Sequence, residues 1–274
     1  MKTRTLSRPS SLPCIALLTD FGLQDHFVGT MKGVIVSINP RATIIDISHE
    51  VAPQHITQAG YLLWSSYRYF PQGTMFVCVV DPGVGSARRI LYVRTKKYSF
   101  LVPENGLLEF VLSDEPSVRT TAVDLHKAAK LTLGNISSTF HGRDVFAPLA
   151  AHYSLGKDLT KFGTHVEETN HNAPFVFSKD DLVKPSILHI DHFGNIVTNA
   201  FPGREDRGGQ EISMVAVGAA MVSHRTNNYP EAPDKTPCLI TGSSGLLEVV
   251  VKNDSAARLL GATLATPLKI YWQS

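Results

Sequence analysis

Hydrophobic positions in the first part of the chain alternate between two kinds of spacing. Three short, nearly continuous apolar runs have the length of strands and cover Ile15–Thr19, Thr43–Ile47 and Met75–Val80. Between them, Phe27–Ile38 and Ile56–Phe70 carry apolar residues at helical intervals. Strands that alternate with helices are typical of an α/β layer. The pattern therefore predicts an α/β N-terminal domain with a largely parallel sheet.

The same alternation continues with shorter elements. Ile90–Val93 and Tyr98–Val102 are separated by two lysines and predict a hairpin or two adjacent strands. Gly106–Leu112 is predicted to be a short helix, Thr121–Leu125 a strand and Asp144–Tyr153 a helix. These elements extend the predicted α/β domain.

The pattern changes after the polar segment Asn170–Lys184, which we interpret as a linker. Beyond it, only Ser255–Leu260 has helical spacing. The other apolar runs are short and are separated by Gly, Asn, Asp and Pro: Ser186–Asp191, Met214–Val217, Leu239–Thr241, Leu246–Val251 and Leu268–Trp272. We predict two domains, an α/β domain over residues 1–175 and a smaller β-rich domain, sandwich or barrel, over 176–274.

Charge and cysteine usage narrow the range of partners. The formal net charge is +2 and no run of five Lys or Arg occurs, so no nucleic-acid partner is expected. No apolar stretch approaches the length of a membrane helix, so no membrane association is expected. Cys14, Cys78 and Cys238 are far apart and odd in number, which favours a reducing compartment. We expect a cytoplasmic protein.

A carboxylate follows the apolar run that ends at Val80. Asp81 begins the turn Asp-Pro-Gly-Val-Gly, and Arg88 and Arg89 follow that turn. The carboxyl ends of strands are where open α/β sheets bind their ligands. The alternative is an Asp that only caps a turn.

Two further segments in the first domain carry polar groups at element ends. Asp20 and Asp25 lie in the loop after the first strand, where a carboxylate is well placed to accept ribose hydroxyls. For Asp25, a helix N-cap is an equally good interpretation. His141 lies just ahead of a predicted helix, and a lone histidine there is more often structural.

The second domain contains the segment from Ile190 to Asn199, with Asp191 and His192 next to each other. On a strand, His189 and Asp191 point to one side and His192 to the other, so a compact metal site is not expected. Phe193-Gly-Asn195 better suits a turn that stacks on a planar ring and hydrogen-bonds to it.

Taken together and in this order, these segments resemble the SAM hydroxide adenosyltransferases. This family is also known as the adenosyl-forming S-adenosyl-L-methionine (SAM) hydrolases and is related to the fluorinases and chlorinases. The resemblance runs from about Ile15 to the C-terminus. The motifs that carry it are Thr19-Asp-Phe-Gly22, Ile45-Asp-Ile-Ser-His49, Asp81-Pro-Gly-Val-Gly85 followed by Arg88, Pro103-Glu-Asn-Gly106, Phe140-His-Gly-Arg-Asp144, Asp191-His-Phe-Gly-Asn195 and Gly242-Ser-Ser-Gly-Leu-Leu-Glu248.

The resemblance implies a homotrimer of two-domain subunits with an α/β domain and a C-terminal β-barrel. The ligand would lie between the first domain of one subunit and the second domain of its neighbour. SAM would be the substrate, and no cofactor or metal ion is expected.

The resemblance also assigns roles to single residues. Asp20 would bind the ribose and Asp25 the methionine moiety. Asp191, Phe193 and Asn195 would bind the amino-acid end and the adenine. The remaining residues expected to contact the substrate are Phe140, Ser243 and Glu248.

Asp81, Arg88 and His141 would form the triad that distinguishes hydrolases from halogenases. The expected reaction is attack of an activated water at C5′, giving adenosine and L-methionine. A halogenase is the alternative, although the negative charge of Asp81 would repel a halide. A SAM or adenosine sensor without catalysis is the second alternative. Gln54 and Phe27 stand where the family varies, so contacts near the substrate's tail stay open. Arg88 is preferred over Arg89 because of its seven-residue distance from Asp81.

Overall fold

The chain forms two compact units, Met1–Asn172 and Ala173–Ser274. The structure is a computed structural model that describes residues 14–115, 117–167, 174–203 and 210–273. Each unit has its own sheets and its own apolar core.

The first unit is built on a seven-stranded sheet with the order β2-β1-β3-β5-β4-β6-β7. Its strands are β1 (Ile15–Thr19), β2 (Ile44–Ser48), β3 (Met75–Val79), β4 (Ile90–Arg94), β5 (Ser99–Pro103), β6 (Arg119–Val123) and β7 (Gly163–Val166). Strands β2, β1, β3 and β5 are parallel, whereas β4, β6 and β7 join by antiparallel pairing. Five of the seven strands consequently run in one direction, because β4 and β7 alone are reversed in this sheet. The predicted largely parallel sheet is confirmed.

Within the described residues of this unit, four helices accompany the sheet. They are α1 (Phe27–Ile38), α2 (Ile56–Ser66), α3 (Glu109–Leu112) and α4 (Ala147–Ser154). Short 3-10 turns cover Tyr67–Tyr69 and Leu159–Phe162, and a π-helical turn, Gly142–Phe146, leads directly into α4. Helix α1 buries Val28, Met31 and Ile35, which lie on one face because their spacing follows the helical repeat.

The parallel strands determine where the polar groups emerge. In the pairing of β1 with β3, Thr19 lies opposite Val79, so the two strands end side by side. The loops that carry Asp20 and Asp81 consequently leave the sheet at the same edge. Both strands are completely buried, since helices cover a parallel sheet on both faces.

The second unit contains two antiparallel sheets, with the orders β11-β10-β14 and β12-β13-β9-β8. Its elements are β8 (Ile187–Ile190), β9 (Ile196–Thr198), β10 (Ile212–Val217), β11 (Ala220–Val222), β12 (Cys238–Thr241), β13 (Leu247–Val250), α5 (Ala256–Leu260) and β14 (Leu268–Trp272). Within residues 174–203 and 210–273 neither sheet closes on itself, so the β-rich prediction is confirmed and the barrel is not.

The predicted linker Asn170–Lys184 needs a correction. Residues 170–173 lie outside the described part of the chain, but Phe175, Val176 and Phe177 are buried. Phe177 stacks on Phe201 with ring centroids 5.6 Å apart, and Val176 forms a β-bridge with Ala200. This part of the segment belongs to the core of the second unit, because three apolar side chains in a row favour burial over a solvated linker.

Within the described residues, no helix has the length and hydrophobicity that a membrane span requires.

Candidate functional site

A cavity of about 380 Å³ opens at the edge of the first unit's sheet where β1 and β3 end. We refer to it as the first cavity. Four segments supply its walls: the loop after β1, the loop before α2, the loop after β3 and the segment that precedes α4. The lining residues are Asp20, Phe21, Phe27, Pro53, Gln54, Val79, Asp81, Pro82, Val84, Thr139, Phe140, His141 and Gly142.

Asp81, Arg88 and His141 form one connected cluster. The Arg88 Nε donates to both carboxylate oxygens of Asp81 at 2.9 and 2.8 Å, and Arg88 Nη2 also donates to this carboxylate. Arg88 Nη2 lies 3.1 Å from His141 Nδ1. The side chains of Asp81 and Arg88 are 4% and 11% exposed. The structure therefore brings together the three residues predicted to form the triad, and Arg88 lies between the other two.

The hydrogen bond from Arg88 determines which nitrogen of the neutral His141 ring carries the proton. A guanidinium only donates, so His141 Nδ1 must accept, and the neutral ring then carries its proton on Nε2. Burial of the ring and the charge of Arg88 together hold the pKa of His141 below its usual value. At neutral pH, His141 thus offers an N–H donor from Nε2.

Arg89 has a different environment. It pairs with Glu104 through Nε at 2.5 Å, and its side chain is half exposed. The preference for Arg88 over Arg89 therefore agrees with the geometry.

Close packing fixes the Asp81 loop against the segment that carries His141. Gly85 has a φ of +76°, and a Cβ atom there would lie 2.2 Å from the carbonyl oxygen of Ser138. Beside it, Asp144 accepts from the Ser137 N–H at 2.8 Å and from Arg143 Nε at 2.5 Å. Burial raises the pKa of Asp144, but these bonds outweigh it and hold the pKa below its usual value. The buried carboxylate is a charged anchor for this segment.

Aromatic rings form the apolar wall of the first cavity. Phe140 packs edge to face on Phe21 and Phe27, with centroids 5.9 and 5.1 Å apart. A Cβ at Gly142 would approach Met31 Sδ and Phe140 at 3.1 Å, so this π-helical turn needs a small residue. Turns of this type are frequent at functional sites.

The loop after β1 places Asp20 and Asp25 differently. Asp20 lines the first cavity, and its Oδ2 accepts from the Gln54 N–H at 2.8 Å. Gln54 has a φ of 65°, a backbone state that sequence patterns do not reveal for a residue of this type. Asp25 is exposed and does not line the cavity, and His26 rather than Asp25 is the N-cap of α1.

A second cavity, of about 880 Å³, lies within the second unit. Asp191, Phe193 and Asn195, which were predicted to bind the substrate, all line it. The other lining residues are Tyr229, Pro230, Val251, Lys252, Asn253, Asp254, Ser255 and Arg258. Tyr229 and Arg258 were not predicted, because neither belongs to a recognisable motif.

Asp191 organises the turn that carries this motif. Its Oδ1 accepts from the backbone N–H groups of Phe193 and Asn195 at 2.9 and 2.8 Å, and its Oδ2 accepts from Asn195 Nδ2 at 2.8 Å. The ring of Phe193 is 74% exposed and is free to stack on a planar ligand. The turn thus presents an aromatic face next to a fixed carboxylate.

Glu248 and Ser243 do not line either cavity. Glu248 lies on β13 and is only 9% exposed. Burial, and next the charge of Asp191, raise its pKa to about 7. Ser243 is exposed in the turn before β13.

Two family models match the chain. One is described as the SAM hydroxide adenosyltransferase N-terminal domain and covers residues 15–163; the other is described as the C-terminal domain of the same family and covers residues 185–269. Together they account for most of the chain.

Individual proteins agree with these matches. A Thermus thermophilus protein named (R)-S-adenosyl-L-methionine hydrolase is 34% identical over 93% of this chain and 98% of its own length. A fluorinase from an Actinoplanes species is 27% identical over 68% of this chain and 71% of its own. The crystal structure of an uncharacterized conserved protein from Thermotoga maritima superposes with a TM-score of 0.80 at 31% identity, over 93% of this chain and 99% of that one.

Proposed function

The chain belongs to the SAM hydroxide adenosyltransferase family, and we propose that it hydrolyses S-adenosyl-L-methionine to adenosine and L-methionine by attack of an activated water at C5′. The predicted family is confirmed, and hydrolysis of SAM is the activity that its named relatives support. The observation that carries the mechanism is the arrangement of three groups. Asp81 and His141 line the first cavity, and Arg88 joins them without lining it.

The chemistry of the substrate explains why this cluster, without a general acid for the leaving group, is enough for the reaction. The substrate's sulfur is a sulfonium, so methionine leaves C5′ as a neutral thioether and needs no proton from an acid. The reaction instead requires a well-positioned nucleophile, because water is a weak nucleophile and must lie in line with the C5′–S bond. Holding it there removes several kcal/mol of the entropic barrier.

The geometry of the cluster supports Asp81 as the acceptor of the proton that the water loses. His141 Nδ1 is engaged by Arg88, so Nε2 of the neutral ring donates a hydrogen bond and does not act as a base. Asp81 is then the acceptor in the cluster. As the water oxygen bonds to C5′, the C5′–S electron pair moves to sulfur and the released proton passes to the Asp81 carboxylate. Arg88 is a positioning residue that holds the Asp81 carboxylate in place and keeps His141 oriented.

The same cluster disfavours a halide as nucleophile. The Nε and Nη2 groups of Arg88 are committed to Asp81 and His141, so its positive charge is already neutralised by a carboxylate. A halide next to Asp81 would meet a negative charge at short range. Water, which donates to Asp81 as it binds, fits this cavity.

The test is an incubation of the purified protein with SAM, with and without chloride, followed by chromatography. We expect adenosine and methionine in equal amounts and independent of chloride. Asp81→Asn should lower kcat by about 10²–10⁴-fold, the usual contribution of a general base, and leave the affinity for adenosine unchanged.

Glu104→Gln is the matched control, since Glu104 is also paired with an arginine of this segment but is exposed. Wild-type turnover in Asp81→Asn would contradict the assigned role. A halogenated nucleoside, or unchanged SAM, would contradict hydrolysis itself.

The finer expectations from the resemblance are proposals as well. We propose a homotrimer in which the second unit carries a closed barrel, and residence in the cytoplasm, which the three buried, free cysteines support. Light scattering should give about three times the 29.9 kDa chain mass. Asp25, Ser243 and Glu248 are proposed to contact the substrate on the resemblance alone.

A further inference from the structure

A chain of four polar side chains begins next to the loop that carries Asp20; it is buried at Thr19 and His49 and open to solvent at Asp46 and Lys32. The hydroxyl of Thr19 is 2.8 Å from His49 Nδ1, and His49 Nε2 approaches Asp46 Oδ1 obliquely at 3.1 Å. Asp46 Oδ2 in turn accepts from Lys32 Nζ at 2.5 Å. Thr19 and His49 are 0% and 3% exposed. The mechanism proposed above uses none of these four side chains.

An irregularity in β2 makes this arrangement possible. In its pairing with β1, Leu17 lies opposite Asp46, but Leu18 lies opposite Ser48, so β2 contains one extra residue. Residues three apart on a regular strand point to opposite faces. The bulge removes this alternation and lets Asp46 and His49 meet on one side.

His49 holds the loop after β1 by two routes. Its ring bonds the Thr19 hydroxyl, which also accepts from the Phe21 N–H at 3.3 Å. Its backbone carbonyl accepts from the Gly22 N–H at 2.8 Å. Asp20 lies between these attachment points, and the Gln54 N–H holds its Oδ2.

The order Thr-His-Asp resembles a hydrolytic triad, but burial excludes that role. A nucleophile must reach its substrate, whereas the Thr19 side chain is completely buried and does not line the first cavity. The chain of bonds therefore acts on the loop and not on the substrate. The Thr19–His49 bond is the buried and paired part of this chain, and a buried hydrogen bond of this kind rigidifies its surroundings.

We infer that His49 is a positioning residue that fixes the Asp20 carboxylate for the substrate's ribose by tying Thr19 to β2. The inference rests on the proposed function for the identity of the ligand. Without the hydrogen bond between Thr19 and His49, the Thr19–Gly22 loop relaxes, and Asp20 and Phe21 no longer keep their positions in the cavity. Ribose binding weakens, and C5′ is less well aligned with the water.

The test compares three substitutions at His49 and one at Thr19. His49→Leu removes both ring contacts, whereas His49→Asn keeps an amide near the Nδ1 position and should retain the bond to Thr19. Thr19→Val removes only the hydroxyl and keeps the buried shape. His49→Gln places its amide near the Nε2 position, so this variant keeps a contact with Asp46 and loses the bond to Thr19.

We expect His49→Leu and Thr19→Val each to raise the KM for SAM and the Kd for adenosine about five- to tenfold, the effect of one lost hydrogen bond, and to lower kcat. His49→Asn should recover most of the adenosine affinity, and His49→Gln should not. The double variant His49→Leu/Thr19→Val should lose less affinity than the product of the two single losses, since both substitutions remove the same bond.

Assays are run below the melting temperature, with calorimetry of adenosine binding as the second readout. His152→Leu is the control, because His152 is a partly buried histidine of the same unit that does not line the first cavity. A variant that only loses stability would keep the wild-type KM and Kd in its folded fraction, and that result would overturn the inference.

The outcomes of these assays distinguish a wrong role for His49 from a wrong proposed function. If the wild type does not hydrolyse SAM, the proposed function fails, but the adenosine affinities still test the role of His49. If the wild type is active and Asp81→Asn is not, while His49→Leu and Thr19→Val bind adenosine normally, only the role of His49 is wrong. Should His49→Leu fail to fold, Thr19→Val decides the outcome.

Discussion

Arg88 controls the protonation of His141, because it is both a donor to Nδ1 and a nearby positive charge. Burial is the larger cause of the lowered pKa of His141, and the charge of Arg88 adds to it. Replacing Arg88 by Gln removes that charge and leaves Asp81 without its cation, so both changes favour the protonated ring. We expect the pKa of His141 to rise in Arg88→Gln, measured by NMR titration of the histidine ring protons.

His152 provides the internal control for this titration. Burial first, and then the charge of Lys157, lower the pKa of His152, and neither involves Arg88. Its pKa should not change in the variant. In the wild type, protonation of His141 should reduce activity only below pH 6.5, the usual value for histidine, since its pKa is lowered. An unchanged His141 titration in Arg88→Gln would contradict the assigned bond.

Glu248 makes the stability of the chain depend on pH. Its pKa in the folded state is about 7, against 4.5 for an ordinary glutamate, so the folded state binds the extra proton between these values. Its contribution is therefore fully present below pH 4.5 and is lost as the pH rises to about 7. Glu248→Gln cannot lose this proton, and we expect it to exceed the wild type in unfolding free energy at pH 8 by about 1–2 kcal/mol.

Denaturant titrations at pH 4.5 and pH 8 measure this difference. The advantage of Glu248→Gln should vanish at the lower pH, where the wild-type side chain is protonated as well. Glu109→Gln, at an exposed position on α3, should follow the wild type at both values. A constant difference at both pH values would mean that the Glu248 carboxyl does not titrate in this window.

At the scale of an element, the turn after β3 depends on the absence of a side chain at Gly85. Ala at this position would have to adopt a φ of +76° and would place its Cβ 2.2 Å from the backbone oxygen of Ser138. The backbone of both segments must move, and Asp81 and His141 lie on those segments. We expect Gly85→Ala to lose at least tenfold in kcat and to unfold at a lower temperature than the wild type.

Gly73 is the matched control for this prediction. Its φ is +88°, but no atom lies within 4 Å of the Cβ position. Gly73→Ala therefore costs only the unfavourable backbone conformation, about 1 kcal/mol, and should keep the wild-type kcat. Equal effects of the two substitutions on kcat would show that the contact with Ser138 does not position the cluster.

Sequence patterns predicted the elements whose signals are local. Strands β1 and β3 and helix α1 were predicted nearly to the residue, since each combines regular apolar spacing with a clear breaker. The π-helical turn at Gly142 and the bulge in β2 were not predicted. Both depend on contacts with distant residues, Met31 and Phe21 for the former and the partner strand β1 for the latter. Strands β7, β9 and β11 were missed because each has only three or four residues; β7 and β11 are also partly exposed.

The candidate site also contains features that could be predicted from the sequence and features that could not. The resemblance implied that Asp81, Arg88 and His141 form a triad, and the structure joins the three side chains by hydrogen bonds; their catalytic roles stay a prediction. The role of Gln54 was not predictable, since its backbone N–H and not its side chain contacts Asp20. The motif that ends at His49 was recognised, but its link to Thr19 depends on the β2 bulge and became visible only in three dimensions.

At the scale of the whole molecule, the two units differ in how the chain connects neighbouring strands. In the first unit, the parallel strands are joined through long connections that include helices. In the second unit, three antiparallel pairs, β8 with β9, β10 with β11 and β12 with β13, are joined through short turns. Each unit buries its own core. In the second unit, Ile196, Leu239 and Val249 are completely buried together, and at about 100 residues the unit has the size of an independent domain.

We therefore expect a fragment that begins at residue 174 and extends to the C-terminus to fold without the first unit. Well-dispersed amide resonances and a cooperative thermal transition in circular dichroism would confirm this. The matched control is the same fragment with Val249→Asp, which buries an unpaired charge in the core and should not fold. In the full chain, this substitution should leave resonances of the first unit dispersed. If the wild-type fragment is as disordered as the variant, the second unit's core is not sufficient for folding.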